Sequence, residues 1–386
     1  MKITHICLCG PVTDNWTYQD NLLPKYHKKL GYEVSVITSR YVFNDKGQLV
    51  IDKRSEYINE HGVKIIRIEN KYRTTINSKF KIYDNLYKTI EEEKPEILFI
   101  HGVQFINIKD VVKYIKKHPY IKVFVDNHAD FSNSATNWLS LNILHKIIWR
   151  LCAKMIEPYT TRFYGVLPAR VDFLKNVYKI PEEKVDLLLM GADDEKVIKA
   201  KDPNVRKEIR EKYKIKEDDF LIMTGGKIDT AKWQTLLLME AVKEINNDKV
   251  KLIVFGSVVQ ELKEKVQALS DGEKVQYIGW ISADEAYNYF AAADLVVFPG
   301  RHSVFWEQVA GLGIPMIVKY WEGTTHVDVG GNCEFLYEDS KEQIKEKIEK
   351  LLYDKILYLR MKQISENQGI SVFSYKKIAE KSVNFK

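Results

Sequence analysis

Short apolar runs alternate with longer amphipathic stretches along the whole chain. The first run, residues 3–9, stops at Gly10-Pro11, and the first amphipathic stretch, residues 18–30, stops at Gly31. Buried parallel strands read as short, continuous apolar runs, and glycine is favoured just past the end of a helix. The alternation therefore predicts strand–helix–strand units built around mainly parallel sheets.

The alternation occurs in two series, separated by the polar and charged segment 191–203, which is typical of a linker. The first series predicts strands over 3–9, 33–38, 64–68, 97–101, 122–126, 163–167 and 186–190, with helices over 18–30 and 78–93. The second predicts strands over 220–224, 250–255, 275–278, 295–298 and 315–318, with a helix over 341–353. We therefore expect an α/β protein of two Rossmann-like domains with mainly parallel sheets, which face each other across a cleft. Their expected bounds are 1–195 and 196–372, and a helix over 373–386 is expected to cross back to the first domain.

Composition is that of an ordinary globular protein. The chain has 386 residues, of which 45% are hydrophobic and 29% charged, close to globular averages. Its net charge of +6 is spread along the chain, without the dense basic block that favours nucleic-acid binding. No apolar stretch approaches the ~20 residues of a spanning helix, and the first apolar run is too short for a signal peptide. These features predict a cytoplasmic protein without a nucleic-acid partner, with a charge that suits a phosphorylated ligand or anionic lipid.

Cysteine and histidine spacing gives no metal-site signature. The four cysteines are few and scattered, at Cys7, Cys9, Cys152 and Cys333. Cys7 and Cys9 alternate within an apolar run without a second Cys/His pair nearby, which indicates buried thiols in a reducing compartment. His128 and Asp130 also lack the spacing of known zinc motifs. We therefore expect no metal and no cofactor.

The segment 222–242 carries the first candidate chemistry. No G-x-G-x-x-G follows the first strand and no P-loop motif occurs, which disfavours nicotinamide dehydrogenases and P-loop NTPases. Here a strand ends at Gly225-Gly226, Lys227 follows, and Lys232 precedes the next helix. Glycines let a ligand approach the backbone, and two ammonium groups beside a helix N-terminus suit a diphosphate. A solvated loop with incidental lysines is the alternative.

Two later segments, 278–300 and 304–318, repeat the strand-to-helix order. The motifs are Gly226-Lys227-Ile228…Lys232, Ile278-Gly279-Trp280, Ala293-Asp294…Pro299-Gly300 and Glu307-Gln308…Gly313-Ile314-Pro315. Together they resemble the carboxyl-terminal half of the group 1 family of retaining, GT-B-fold, nucleotide-sugar glycosyltransferases of the polysaccharide-biosynthesis type. Residues 189–197 resemble the family's exit from the first domain. The resemblance covers nearly the whole chain and is specific in the second half.

The resemblance implies roles in donor binding for the second half. Lys227 and Lys232 would neutralise the diphosphate as it leaves, and Glu307 would accept hydrogen bonds from the ribose hydroxyls. The backbone at Trp280 and Ile281 would meet the base. A solvent-facing helix glutamate is the alternative for Glu307.

One departure from the family pattern concerns the donor sugar. Family members usually carry a second glutamate two turns before the ribose one, and here that position is Pro299 in a shortened loop. Arg301, His302 and Ser303 occupy the loop instead and are candidates for sugar or phosphate contacts.

In the first half, the polar loop within residues 124–138 holds His128, which the resemblance implies is the catalytic side chain facing the reacting sugar. Asp130 would orient His128 or the acceptor, and Asn127 would also bind the acceptor. The loop within residues 4–21 would face the same cleft, with Gly10 near the donor phosphates and with Tyr18 and Gln19 near the acceptor. An ordinary polar loop is the alternative.

Residues 141–156 form an amphipathic pattern. Leu144, Ile148, Leu151 and Met155 share one helical face, and Lys146, Arg150 and Lys154 form a basic stripe. The pattern fits either a helix that covers the sheet or a surface that meets anionic lipid at the inner face of the cell membrane.

The function expected from these features is transfer of a hexosyl group from a nucleotide-sugar, with UDP as the expected nucleotide, and with retention. The expected acceptor is a saccharide or lipid-linked molecule in surface polysaccharide or glycan synthesis. A nucleotide-sugar epimerase or hydrolase on the same fold, and an inactive nucleotide-sugar-binding protein, stay open as alternatives.

Overall fold

The chain divides into two compact units. The computed structural model describes residues 1–44, 47–71 and 80–384. Unit 1 consists of Met1–Leu189 together with Ile378–Lys386, and unit 2 is Met190–Lys377. The division after Leu189 lies upstream of the predicted boundary at 195, and the segment that returns to unit 1 starts at Ile378 rather than at residue 373.

Unit 1 is built on a parallel sheet with one antiparallel edge. Its described strands are β1 Lys2–Cys7, β2 Glu33–Ser39, β3 Tyr41–Phe43, β4 Leu49–Ile51, β5 Glu56–Ile58, β6 Lys64–Ile68, β7 Ile97–His101, β8 Lys122–Asn127, β9 Arg162–Gly165 and β10 Val185–Leu187. The order in the eight-stranded sheet is β10-β9-β8-β7-β1-β2-β6-β5, and within the described part of this sheet only the β5–β6 pair is antiparallel. Strands β3 and β4 form a separate antiparallel hairpin. The predicted parallel sheet is confirmed, while β3, β4 and β5 were not predicted.

Helices cover both faces of this sheet. The described α-helices of unit 1 are Gln19–Lys29, Leu86–Glu93, Ile108–Lys117, Arg150–Ile156 and Pro168–Asn176, with the π-helix Ser140–Trp149 before the fourth, and the last helix of the chain, Tyr375–Val383, ends in this unit. A large apolar cluster lies on one face and a smaller one, which includes Val12 and Val34, on the other. The sheet is therefore buried on both sides, which explains its continuous apolar runs.

Unit 2 repeats the architecture with a fully parallel sheet of six described strands. They are β11 Phe220–Gly225, β12 Val250–Phe255, β13 Val275–Tyr277, β14 Leu295–Phe298, β15 Met316–Lys319 and β16 Cys333–Leu336, in the order β13-β12-β11-β14-β15-β16. The α-helices are Asp194–Ala200, Pro203–Lys212, Gln234–Glu244, Gln260–Leu269, Ala283–Ala291, Phe305–Leu312, Lys341–Tyr353 and Lys355–Phe373. One apolar cluster, which includes Ile222, Leu252 and Leu295, forms the core.

Two predicted helices differ from the observed ones. The helix predicted over 78–93 begins only at Leu86, because Lys81 and Asn85 have positive φ angles of 50° and 60° that an α-helix excludes. Residues 78 and 79 lie outside the described part of the chain. The helix predicted over 141–156 is π-helical up to Trp149. Within the described ranges, no helix is long and apolar enough to cross a membrane.

Candidate active site

A pocket in unit 2 lies at the carboxyl ends of β11 and β14, the two central strands of the sheet. Its lining is Thr224, Gly225, Gly226, Lys227, Ile228, Lys232, Thr235, Val254, Phe255, Phe298, Pro299, Gly300, Arg301 and Ser303. Strand order reverses between β11 and β14, and such switch points are where open parallel sheets bind ligands. The predicted pair Lys227 and Lys232 is thus brought to one pocket, together with Arg301 and Ser303.

Glycines make the floor of this pocket too close for side chains. A Cβ on Gly225 would lie 2.2 Å from the Phe255 ring, and one on Gly256 would lie 1.9 Å from the carbonyl oxygen of Gly226. Gly226 and Gly256 also have φ angles of 119° and 132°, which favour glycine. The backbone at this strand end is therefore exposed to a ligand rather than covered by side chains.

Three cations surround the pocket. Lys227 is 62% exposed and lies 3.6 Å from Asp229, whereas Lys232 is half-buried. Burial lowers the pKa of Lys232, and although Asp229 opposes this, nearby Arg301 and Lys227 lower that pKa further. The helix Gln234–Glu244 begins just after Lys232 and directs its N-terminal N–H groups towards the same end. Because the cations destabilise one another's charge, an anion bound between them would be favoured.

Glu307 lies beside the pocket rather than on its lining, among the residues described. It is fully buried on the helix Phe305–Leu312, so the solvent-facing alternative is wrong. Its Oε1 accepts hydrogen bonds from Nε2 of His302 and Nε2 of His326, each at 2.8 Å. Burial alone would raise the pKa of the carboxyl, but the two imidazoles outweigh it and hold that pKa below its usual range. Oε2 is buried without a hydrogen-bond partner in the described structure, which leaves one acceptor unused.

The residues predicted to contact the base or the sugar do not all line the pocket. Of the loop after Pro299, Arg301 and Ser303 line the pocket, whereas His302 is turned to Glu307. Trp280 is 69% exposed in the loop after β13, and Ile281 beside it is half-buried. Gly279 in that loop accepts a hydrogen bond from the backbone of Gly256 at 2.7 Å, which ties it to the pocket floor.

In unit 1, the predicted catalytic His128 pairs with Asp126. Nε2 of His128 lies 3.2 Å from Oδ2 of Asp126, and the imidazole is 36% exposed while the carboxylate is fully buried. Gln19 donates a hydrogen bond from Nε2 to the same oxygen at 3.1 Å. Nδ1 of His101 lies 2.8 Å from it. Burial alone would raise the pKa of Asp126, but His101 and then His128 outweigh it and lower that pKa.

Asp130 and Asn127 hold the loop together. Asp130 is bound by Nε of Arg170 at 3.0 Å and by the backbone of Ser132 at 2.7 Å, whereas the carboxylate that faces His128 is that of Asp126. Nδ2 of Asn127 donates to the carbonyl of Ala129 at 2.9 Å. Both side chains are buried and already engaged within the fold. Their predicted role towards an acceptor stays a prediction.

The predicted loop after β1 is more open. A Cβ on Gly10 would meet nothing within 4 Å in the described structure, so space for a ligand exists beside this residue. Tyr18 is 51% exposed and contacts Trp16 edge to face, with ring centroids 5.3 Å apart. Gln19, by contrast, is buried against Asp126, which places it with the His128 pair rather than at the surface.

Two clusters of histidine and carboxylate side chains, one in each unit, contain the ligand types that zinc prefers. His101, Asp126 and His128 bring their ligand atoms within 4.8 Å of one another, and so do His302, Glu307 and His326. In each cluster imidazole nitrogens already face carboxylate oxygens. The protein's own N–H groups therefore compensate these buried carboxylates.

The fold is shared with several solved structures, among them a glycosyltransferase. A glycosyltransferase from Rickettsia africae gives a TM-score of 0.69 at 14% identity and covers 98% of this chain and 96% of its own. Sucrose-phosphate synthase from Thermosynechococcus elongatus gives 0.68 at 14% identity, with the same coverage of 98% and 96%. Anabaena HepE, solved with UDP and glucose, gives 0.66 at 14% identity and covers 99% and 98%. The two-unit architecture is therefore the GT-B fold.

The family model for glycosyl transferases group 1 matches residues 205–368. Residues 205–368 are thus similar in sequence to the group 1 glycosyltransferases, and the chain as a whole shares the fold of the solved structures above. Mannosylfructose-phosphate synthase of Agrobacterium fabrum strain C58 is 22% identical over 249 residues, which are 61% of this chain and 52% of that protein. The match thus spans about half the length of this curated relative.

Three polar residues of the two clusters were not predicted from the sequence. Asp126, His101 and His326 were not proposed as site residues, although the first two end strands β8 and β7. Their position in the sequence could have revealed Asp126 and His101, because polar residues at the carboxyl ends of buried parallel strands lie at the sheet edge where ligands bind. His326 follows β15 in a short 3-10 turn, and only tertiary folding brings it to Glu307.

Proposed function

We propose that the protein transfers a hexosyl group from a nucleoside-diphosphate sugar to a saccharide or lipid-linked acceptor, with retention at the anomeric carbon. The observation that carries the proposal is the pocket of unit 2, where Lys227, Lys232 and Arg301 surround a glycine-floored strand end. This pocket lies inside the segment matched by the group 1 family model. The cations and the geometry suit a pyrophosphate.

Charge stabilisation is the main catalytic contribution in this proposal. Breaking the bond between sugar and diphosphate builds negative charge on the leaving group. Lys232 and the N-terminus of the helix Gln234–Glu244 meet that charge from one side, and Lys227 and Arg301 add two further cations. Prearranged groups of this kind contribute about 3 kcal/mol each. The protein's own cations thus supply the neutralisation for which other enzymes recruit a metal ion.

Glu307 is proposed to bind the ribose. Its Oε1 is occupied by two imidazoles, and Oε2 is left as an acceptor for a hydroxyl group. Uridine is the proposed base, which is supported by the similar fold of the HepE structures solved with UDP. The backbone near Trp280 and Ile281 is the proposed contact for the base.

His128 is proposed to contact the reacting sugar. A carboxylate can only accept hydrogen bonds, so Nε2 of His128, which faces Asp126, carries the imidazole's proton. Nδ1 is then the acceptor that the exposed side of the ring offers to a sugar hydroxyl. Gly10 and Tyr18 are proposed to complete the donor and acceptor sites of unit 1.

Binding and turnover test this proposal, with Lys232→Ala as the deciding variant. We expect calorimetry to show that the wild type binds UDP, and UDP-glucose, offered with a panel of saccharide and lipid-linked acceptors, to give a product of retained anomeric configuration by NMR. Loss of about 3 kcal/mol in Lys232→Ala would lower turnover roughly a hundredfold. Lys265→Ala, an exposed lysine on the helix Gln260–Leu269, is the matched control and should behave as the wild type.

Other outcomes of that experiment would replace the proposal. An altered sugar or free glucose from donor alone would identify an epimerase or hydrolase. Binding of UDP-glucose without turnover across the acceptor panel would identify a binding protein. Unchanged turnover in Lys232→Ala would remove the diphosphate assignment.

A surface of unit 1 supports a membrane-facing role at the inner face of the cell membrane. The helices 140–156 and the residue before them carry an exposed apolar stripe. It consists of Leu139, Ile143, Ile147, Leu151 and Met155, each at least 39% exposed. The expected face was different, because Leu144 and Ile148 pack against the core of unit 1. The wider turns of the π-helix rotate the side chains away from α-helical spacing. Lys146 and Lys154 flank the stripe, which suits anionic headgroups.

Vesicle binding tests the apolar stripe. We expect the protein to co-sediment with phosphatidylglycerol–phosphatidylcholine vesicles and Leu151→Glu to bind about tenfold more weakly, since burying a leucine contributes about 1.5–3 kcal/mol. Tyr120→Glu, at an exposed residue outside the stripe, is the control and should bind as the wild type. Equal binding by all three proteins would contradict the assignment.

A further inference from the structure

Three buried imidazoles form a continuous row through unit 1. His27 is bonded through Nδ1 to Nε2 of His5 at 3.0 Å, and Nδ1 of His5 is bonded to Nε2 of His101 at 2.9 Å. All three side chains are buried, and we call them the histidine ladder. One end of the ladder reaches the helix Tyr375–Val383, and the other reaches Asp126.

The hydrogen bonds at the carboxyl-terminal helix determine which ring nitrogen of each histidine in the ladder carries a proton. Ser382 donates its hydroxyl proton to the carbonyl of Ala379 at 2.9 Å. Nε2 of His27 lies 2.8 Å from that hydroxyl oxygen and 3.2 Å from the same carbonyl. With the hydroxyl proton committed and a carbonyl able only to accept, Nε2 of His27 must be the donor.

The remaining protons follow one by one. A neutral His27 with its proton on Nε2 accepts at Nδ1, so His5 donates from Nε2. A neutral His5 then accepts at Nδ1, so His101 donates from Nε2. Burial and neighbouring imidazoles lower the pKa of both His5 and His27, which agrees with their neutral form.

Because Nε2 of His101 donates to His5, the question that is left is whether Nδ1 of His101 also carries a proton. Its Nδ1 lies 2.8 Å from Oδ2 of Asp126 and 3.2 Å from Oδ1 of Asp20. Ionised carboxylates offer only lone pairs, so a bare Nδ1 lone pair between them would be repelled from both. A proton on Nδ1 removes the repulsion and makes His101 a cation.

The groups that face His101 come from every element packed against it. They are Cys7 and His5 on β1, Asp20 on the helix Gln19–Lys29, and Asp126 and His128 at the end of β8. Burial raises the pKa of the Cys7 thiol to about 12, so this group is neutral near pH 7. Burial alone would lower the pKa of His101, whereas the carboxylates of Asp126 and Asp20 raise it, and the net shift of that pKa is upward.

We propose that His101 is a buried imidazolium whose charge is enforced by the histidine ladder, and that it is a positioning residue for His128 through Asp126. The imidazolium keeps Asp126 ionised in a site closed to water. An ionised Asp126 accepts from His128 at Nε2 and so leaves Nδ1 of His128 open. The second part of this proposal rests on the proposed function, whereas the charge of His101 does not.

NMR of the full-length protein labelled with ¹⁵N-histidine tests the proposal directly. Long-range ¹H–¹⁵N correlations report which ring nitrogens carry protons, and His101→Gln assigns the signal. At pH 7.5 we expect two protonated nitrogens on His101, and a proton on Nε2 alone for His5 and His27. A singly protonated His101, or a protonated Asp126 carboxyl in ¹³C spectra, would overturn the proposal whether or not the protein transfers sugars. Metal analysis that finds an ion bound at His101 would overturn it too.

Two variants test whether the ladder enforces the charge. His27→Phe removes the fixed end, so His5 can turn its proton towards His101, and the titration midpoint of His101 should fall by about one pH unit or more, a tenfold change in proton affinity. Ser382→Ala keeps the carbonyl of Ala379 as acceptor for His27, so the midpoint should stay at the wild-type value. Equal midpoints in all three proteins would overturn the role of the ladder.

The positioning role is read from the pH dependence of UDP-glucose turnover. In His27→Phe, kcat should decline at a lower pH than in the wild type, in step with the His101 midpoint, while KM for the donor changes little. A uniform loss of kcat at all pH values would indicate a structural effect and would overturn the positioning role. Absence of turnover in the wild type would instead refute the proposed function and leave the NMR result standing.

Discussion

Two buried, neutral imidazoles predict that the protein loses stability in mild acid. Burial is the main cause that lowers the pKa of His5 and of His27, and it brings that of His27 to about 3. In the unfolded chain an imidazole has a pKa of about 6.5. Below that pH the unfolded chain binds protons that the folded protein does not, so the free energy of unfolding falls as the pH falls.

The magnitude follows from the two pKa values. For one imidazole with a folded pKa near 3, the loss is RT ln(1 + 10^(6.5 − pH)), which gives about 2 kcal/mol at pH 5 and about 0.1 kcal/mol at pH 7.5. His101 does not mask this loss. Its raised pKa contributes stability that is complete below about pH 6.5 and is lost only as the pH rises through the folded value. Asp126, with a lowered pKa, contributes fully above about pH 4.

Urea unfolding of the wild type and of His27→Phe at pH 7.5 and pH 5 isolates the contribution of His27. Phenylalanine cannot be protonated in the unfolded chain, so the stability difference between the two proteins should shrink by about 2 kcal/mol at the lower pH. Ser382→Ala keeps the imidazole and removes only the two hydrogen bonds of the Ser382 hydroxyl, to His27 and to the carbonyl of Ala379, so its difference from the wild type should be the same at both pH values. If the His27→Phe difference also stays constant, His27 is charged in the folded protein and the reasoning fails.

The remaining predictions concern unit 2. Gly225→Ala should lower stability by about 1–3 kcal/mol, because its Cβ would overlap the Phe255 ring, whereas Gly10→Ala, with open space around it, should not. Thermal melting curves measure both, and equal melting temperatures would show that Phe255 yields without cost. Glu307→Gln should lower stability by about 1.5–3 kcal/mol, since it removes the charge that two imidazoles share. If Glu307 binds ribose, UDP affinity measured by calorimetry falls as well, and an unchanged affinity would restrict Glu307 to holding His302 in its loop.

Local sequence pattern predicted the buried sheets well. Strands β6, β7, β12 and β14 have the predicted bounds, because each is a short, mainly apolar run followed by a polar, glycine or proline residue. Strand β16 was not predicted, and neither were the short strands β3, β4 and β5 of unit 1. Each of these three strands of unit 1 is only three residues long and has no buried side chain, so its few apolar residues do not stand out in the sequence, and strand pairing holds it in place.

The grouping of side chains could be predicted only where the residues that line a pocket are close together in the sequence. Gly225, Gly226, Lys227 and Lys232 fall within one strand-to-helix segment, so their shared pocket could be expected. The partner of His128 could not be expected from spacing alone. Parallel pairing places His101 opposite Asp126 in register, and only this pairing shows that Asp126 rather than Asp130 faces the imidazoles.

Both units compensate a buried carboxylate with imidazoles, and the consequences differ. Glu307 faces two imidazoles that can each donate from Nε2 in the neutral form, so the cluster keeps the negative charge of the carboxylate. That charge lies beside a pocket with three cations and adds an acceptor to a site for which we propose an anionic ligand. Asp126 instead faces His101, whose second nitrogen is committed to the ladder, so here the carboxylate is balanced by a full positive charge. The same two residue types thus give a charged acceptor in one unit and an internal ion pair in the other. The two cases differ because the carbonyl of Ala379 requires a proton on Nε2 of His27, and this assignment passes along the ladder to His101.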